Sequence, residues 1–107
     1  MEEAVRAAIL APENQVFISS ASVWEISIKA AAGRLVFPIH RYEAIARRLG
    51  ATILPILAGH AILAGTLPRH HADPFDRMLI AQAIVENLTL VTGDRQIARY
   101  EVTVFGG

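Results

Sequence analysis

Three carboxylates, Glu25, Asp76 and Asp94, stand just beyond a predicted strand or in the first turn of a predicted helix, where an alternating α/β chain collects its functional groups. Between the two aspartates, an apolar-periodic segment over 76–87 predicts a helix and Leu88-Thr89-Leu90-Val91-Thr92 a strand. A helix of that length travels roughly 18 Å and the strand returns roughly 17 Å, so Asp76 and Asp94 are expected at one edge of the fold. Glu25, shortly after a strand over 15–19, is expected at the same edge. Carboxylates gathered in this way repel one another and raise the pKa of at least one, unless a cation neutralises them. Oxygen ligands without cysteine suit Mg²⁺ or Mn²⁺. Such an ion polarises a phosphodiester, activates water and stabilises the leaving oxygen, which is nuclease chemistry.

Each residue also has a plain reading. Glu25 stands three residues after Ser22, the spacing of a capping box, and Ser19, Ser20 and Ser22 all read as capping residues. Asp76 alone is a first-turn acid, and Asp94 alone a turn or N-cap residue. Asp73, before Pro74, either caps the next helix or supports the ligands from behind. Thr92 is a strand residue whose hydroxyl stands two positions from Asp94. Arg77 and Arg95 each follow one of the aspartates and either meet phosphates or lie on solvated faces. His70 and His71 read as metal ligands, a general base or solvated loop residues, the last favoured because they lack the i, i+4 spacing of helical metal ligands, and His40 and His60 carry weaker claims. Trp24 reads as core or interface, with base stacking as the alternative.

The elements that must position these groups alternate. Residues 2–10 predict a helix and 15–19 a strand; a helix over 21–32 stops at Gly33, and 41–49 is amphipathic. A strand follows at 51–56, a short helix at 58–66, the histidine loop, the 76–87 helix, a helical turn over 95–100 and a last strand at 101–105. Such alternation argues for a parallel sheet covered on both faces by helices.

The chain of 107 residues is expected to form a single domain, 1–107. Its mean hydropathy of +0.40 is high for a soluble monomer, so a partner or a second copy is expected to cover apolar surface. No apolar run approaches the roughly 18 residues of a membrane span, and the Met-Glu-Glu start lacks a signal peptide's basic end. A cytoplasmic location is therefore expected. The absence of cysteine excludes disulfides, thiolate nucleophiles and zinc–thiolate sites. Basic and acidic residues balance at ten each, so any nucleic-acid contact must be local.

Three motifs stand in order: Ser-Ala-Ser-Val-Trp-Glu-Ile-Ser-Ile-Lys with Gly-Arg-Leu; His-His-Ala-Asp-Pro-Phe-Asp-Arg-Met-Leu-Ile-Ala-Gln-Ala; and Leu-Val-Thr-Gly-Asp. Together they resemble the PIN-domain family, and more closely the VapC-type toxins of bacterial toxin–antitoxin pairs. The resemblance implies a three-layer α/β/α fold, a Mg²⁺- or Mn²⁺-dependent endoribonuclease, dimerisation, and inhibition by a VapB-type antitoxin. It places the family's acidic positions on Glu25, Asp76 and Asp94, with Thr92 as the neighbouring hydroxyl. Members usually begin with a strand ending in aspartate, for which this sequence has no counterpart. That strand is expected to be central, so N-terminal truncation of a longer protein is the expectation, and with it weak or absent activity.

A second function class fits the same observations: a degenerate PIN remnant that binds an antitoxin or an intact paralogue without catalysis. A flavodoxin-like or receiver-like regulatory domain shares the alternation, but it requires an acidic pair at the end of the first strand.

Overall fold

The computed structural model describes residues 3–92, 94 and 96–106. Among these residues are five α-helices and four short strands, with two consecutive α-helices after each of the first two strands, and every strand pairing is parallel. Contacts divide the chain into two compact units, one spanning Ala8–Pro55 and the other Met1–Ala7 with Ile56–Gly107. Helix α1 (Glu3–Leu10) carries an acid, Glu3, in its first turn, where the helix dipole favours it; its chain crosses from one unit into the other.

In the Ala8–Pro55 unit, the apolar, β-branched run Val16-Phe17-Ile18 forms strand β1 (Val16–Ser19). It pairs with β2 (Ala51–Leu54) in the register Val16 to Ala51 through Ser19 to Leu54. Helix α2 (Ser20–Ala31) follows β1 with no intervening loop. Its cap is therefore the last strand residue, Ser19, whose Oγ accepts the Ala21 amide at 3.0 Å. Of the three capping candidates the structure selects Ser19: Ser20 and Ser22 lie inside the helix, and Glu25 pairs with Lys29 one turn on, at 3.4 Å. The helix ends at Gly33, whose φ of +73° lets the Gly33 and Arg34 amides turn back to the carbonyls of Ala30 and Lys29. Helix α3 (Tyr42–Arg48) leads back to β2. Ala21 and Ala46 are the most buried apolar residues of this unit.

The other unit packs helices α4 (Ala58–Thr66) and α5 (Pro74–Glu86) together. Strands β3 (Leu90–Val91) and β4 (Val104–Phe105) pair beside them, with the Leu90 amide donating to Thr103 and the Thr92 amide to Phe105. Ala64, Leu67, Ile80, Ala81, Ile97 and Tyr100 form its core, and Leu63, Met78, Ile84 and Leu90 pack around it. Because small Ala64 and Ala81 belong to that core, α4 and α5 can approach closely.

A buried polar link joins the two helices. His60 is 1% exposed; its Nδ1 accepts the Leu57 amide at 3.0 Å and its Nε2 faces the Glu86 carboxylate at 2.8 Å. An acceptor role at Nδ1 puts the proton of the neutral ring on Nε2, so Nε2 donates to Glu86. Both ring nitrogens are thereby satisfied in an apolar setting, which makes His60 a structural residue. Helix α5 ends at Asn87, in the left-handed region at φ 55°, and the Leu88 amide then closes on the Ala83 carbonyl.

Candidate metal centre

Asp73 and Pro74 determine where α5 begins. The Asp73 carboxylate accepts the Phe75 and Asp76 amides at 2.8 and 3.1 Å, and Pro74 occupies the first helical position, which needs no amide donor. The helix thus starts two residues before the expected 76, which leaves Asp76 in its first turn. Asp94 is oriented by a local turn. Its amide donates to Thr92 Oγ1 at 3.1 Å and its Oδ1 accepts the Gln96 amide at 2.9 Å, so Oδ2 is the oxygen left to face outward.

Between the two carboxylates stands a residue that sequence reasoning read as loop. His71 Nε2 lies 2.8 Å from Asp76 Oδ2 and 3.1 Å from Asp94 Oδ2, and one donor atom from each residue falls within a 4.8 Å cluster. The imidazole is mostly covered, at 16% side-chain exposure, whereas Asp76 and Asp94 are 29% and 39% exposed. The group is therefore open on its carboxylate side.

Two side chains hold the Leu67–Asp73 loop that carries His71. Arg77 donates through Nε and Nη2 to the Ala64 carbonyl, through Nη2 to Leu67, and through Nη1 to Pro68 and His71. These five bonds use all five N–H groups of the guanidinium, and they satisfy carbonyls that the C-terminus of α4 leaves open. Tyr100, buried at 6% exposure, donates its hydroxyl to the Pro68 carbonyl and accepts the amides of His70 and His71. The His70 ring meets the Tyr100 ring edge-on, with centroids 5.1 Å apart.

These findings sort the predicted residues. Asp76 and Asp94 are brought together; Asp73 is the helix cap and Thr92 the support of the Asp94 turn. Arg77, expected to meet phosphate or solvent, directs its donors to carbonyls of α4 and of the loop that follows it. Glu25 belongs to the other unit, where its recorded partner is Lys29. Arg95 lies outside the described residues. Sequence reasoning missed Tyr100 and held metal ligation by His71 only as an alternative to a solvated loop residue. The only advance signal for His71 was its position two residues before a capping Asp-Pro pair.

Two carboxylate oxygens and an imidazole nitrogen form a donor set that fits a divalent cation. Beside this group, Gly65, Arg69, His71, Ala72 and Arg77 line a cleft of about 220 Å³. Positive charge there borders the anionic group, an arrangement suited to a substrate that carries phosphates.

Comparison with known proteins gives one match. The family model described as PIN domain aligns with residues 1–102, and neither the curated proteins nor the solved structures yield a significant match. The parallel α/β fold is that of the PIN-like α/β/α class. With nearly the whole chain matched and an Asp–Asp–His group at the start of α5, the chain belongs to the PIN domain family, a superfamily made up generally of nucleases.

Proposed function

We propose that this chain is a divalent-metal-dependent endoribonuclease of the VapC toxin type, hydrolysing RNA phosphodiesters where Asp76 and Asp94 meet. The observation that carries the reading is the convergence of His71, Asp76 and Asp94 within 4.8 Å in a member of a nuclease superfamily. The ion, Mg²⁺ or Mn²⁺, supplies the charge that polarises the phosphate and activates water. The protein's part is positional. Asp94 offers Oδ2 because Oδ1 is tied to the Gln96 amide, and Asp76 is held by the capped first turn of α5. Glu25 enters the proposal as a further carboxylate through the family pattern, and Arg95 as a phosphate contact. A VapB-type antitoxin, a second copy of the chain and a cytoplasmic location belong to the same reading.

RNA cleavage tests it. A mixed RNA substrate is incubated with the 107-residue chain, and with a version extended upstream by a strand ending in aspartate, each with Mn²⁺ and with EDTA. Cleavage that EDTA stops, and that Asp94→Asn or Asp76→Asn lowers by about 100-fold or more, supports the proposal. RNA left intact by both proteins with Mn²⁺ present refutes it.

One observation favours a second reading, a binding module without catalysis. Trp24 and Ile28 lie one turn apart on α2 at 60% and 47% exposure, a large apolar area for the surface of one short helix. Among the described residues, no helix is long and apolar enough to cross a membrane, so burial in a bilayer as a spanning helix does not account for it. A protein partner does, whether an antitoxin or another PIN chain. Mass measurement in solution decides: a monomer that captures no cognate antitoxin excludes this reading.

A further inference from the structure

We infer that His71 is itself an ion ligand, and that its imidazole makes the centre selective for Mn²⁺ over Mg²⁺. The inference rests on the metal-centre reading above and adds to it the ligand set and the ion. Adjacent ligands of an octahedral ion at roughly 2.1 Å stand roughly 3 Å apart. His71 Nε2 lies 2.8 Å from one carboxylate oxygen and 3.1 Å from the other, the spacing of neighbouring positions around a single ion.

The imidazole is also prepared for such a role. The His71 amide is held by the Tyr100 hydroxyl at 2.9 Å and its carbonyl by Arg77 Nη1 at 3.3 Å, so the residue is fixed on both sides of its Cα. Outer groups that orient a ligand in this way are what sustain affinity at metal sites. With the side chain mostly covered, the ring has little room to turn away.

Three contacts oppose the role. The Asp73 amide reaches Nδ1 at 3.4 Å, which favours a proton on Nε2, where it bonds the two carboxylates. Ligation through Nε2 requires that proton on Nδ1 instead; it gives up both Nε2–H bonds, whose carboxylate oxygens then take the ion in place of the N–H, and with them the Asp73 contact. At 3.4 Å that bond is long and weak, whereas an ion–imidazole bond replaces it at a site already carrying two carboxylates. Ligation therefore wins. The selectivity follows from ligand chemistry: Mg²⁺ prefers oxygen and retains its waters, while first-row transition ions accept imidazole readily.

The test titrates the full chain with Mn²⁺, following free ion by electron paramagnetic resonance, and then competes the bound ion with Mg²⁺. Bound Mn²⁺ is examined for coupling to a ligand nitrogen by electron spin echo modulation. Expected are Mn²⁺ binding at least about 10-fold tighter than Mg²⁺ and a nitrogen coupling. Both His71→Gln and His71→Ala should lose that coupling and weaken Mn²⁺ binding by about 10- to 100-fold, leaving Mg²⁺ within about 3-fold. Absence of nitrogen coupling in the unmodified chain overturns the inference without any variant having to fold. So does tighter Mn²⁺ binding in His71→Gln, which would mark His71 as a donor occupying the ion's place. If Asp76→Asn and Asp94→Asn abolish Mn²⁺ binding while the His71 variants retain it, His71 is no ligand and the centre stands. If the Asp variants also leave binding unchanged, the centre itself falls.

Discussion

Tyr100 and His71 lie 29 positions apart and meet through one hydroxyl, which accepts the His71 amide at 2.9 Å and the His70 amide at 3.1 Å while donating to the Pro68 carbonyl at 2.7 Å. Tyr100→Phe keeps the ring in the core and removes all three bonds. Because it leaves two amides and a carbonyl to find water, the expected loss is about 1–3 kcal/mol. Urea unfolding reads this directly, and affinity for the divalent ion should fall alongside as His71 loses one of its anchors.

Arg77 binds the loop by geometry as much as by charge. Its planar fork reaches the carbonyls of Ala64, Leu67, Pro68 and His71 at once, and the compact ammonium of lysine cannot. Arg77→Lys should therefore destabilise nearly as much as Arg77→Ala, by about 2–3 kcal/mol in each case. Recovery of most of the stability by lysine in denaturant melts would show that charge near the end of α4 is what matters.

His60 and Glu86 should respond unequally. Replacing His60 by alanine leaves a cavity and strands the Leu57 amide, at a cost of about 2–4 kcal/mol. Glu86→Gln keeps an acceptor for Nε2–H on a side chain that is 36% exposed, so its cost should stay below about 1 kcal/mol. Thermal melts of the two variants compare the effects.

Asp73 separates stability from chemistry. Asp73→Asn preserves an oxygen for the Phe75 and Asp76 amides and should change stability by only a few tenths of a kcal/mol, whereas Asp73→Ala should cost about 1 kcal/mol. If Asp73 acts only as a cap, the asparagine variant also retains ion affinity. Loss of Mn²⁺ binding in a fully folded Asp73→Asn protein would give its charge a direct part in the centre.

What could be read in advance depended on how local the cause was. Asp73-Pro74 announces a helix start because both residues act on amides within three positions, and Gly33 announces a helix end for a similar reason. The meeting of Asp76 and Asp94 was legible from two lengths, one helix and one short strand returning beside it. His71 was legible only as one of several readings, because its place is set by Tyr100 and Arg77, whose partners are carbonyls and amides that carry no side-chain signature. Ser19 stood beside Ser20 and Ser22 as a capping candidate, and the choice among them was not legible because β1 runs directly into α2, which moves the cap back into the strand. Arg77 misled for the opposite reason. Its neighbour Asp76 suggested a phosphate partner, while the carbonyls it binds come from a helix end and loop that sequence spacing does not bring near it.

The dependence of His71 on Tyr100 and Asp94 has a consequence for the order of synthesis. Both partners are made 23 or more residues after it, and closing a loop of that size costs roughly 3 kcal/mol of chain entropy before any contact compensates. A chain growing on the ribosome holds Asp73 and Asp76 in place early, but it has no assembled centre until the segment through Tyr100 has emerged and folded. The proposed centre is thus completed only by the segment that supplies Asp94 and Tyr100.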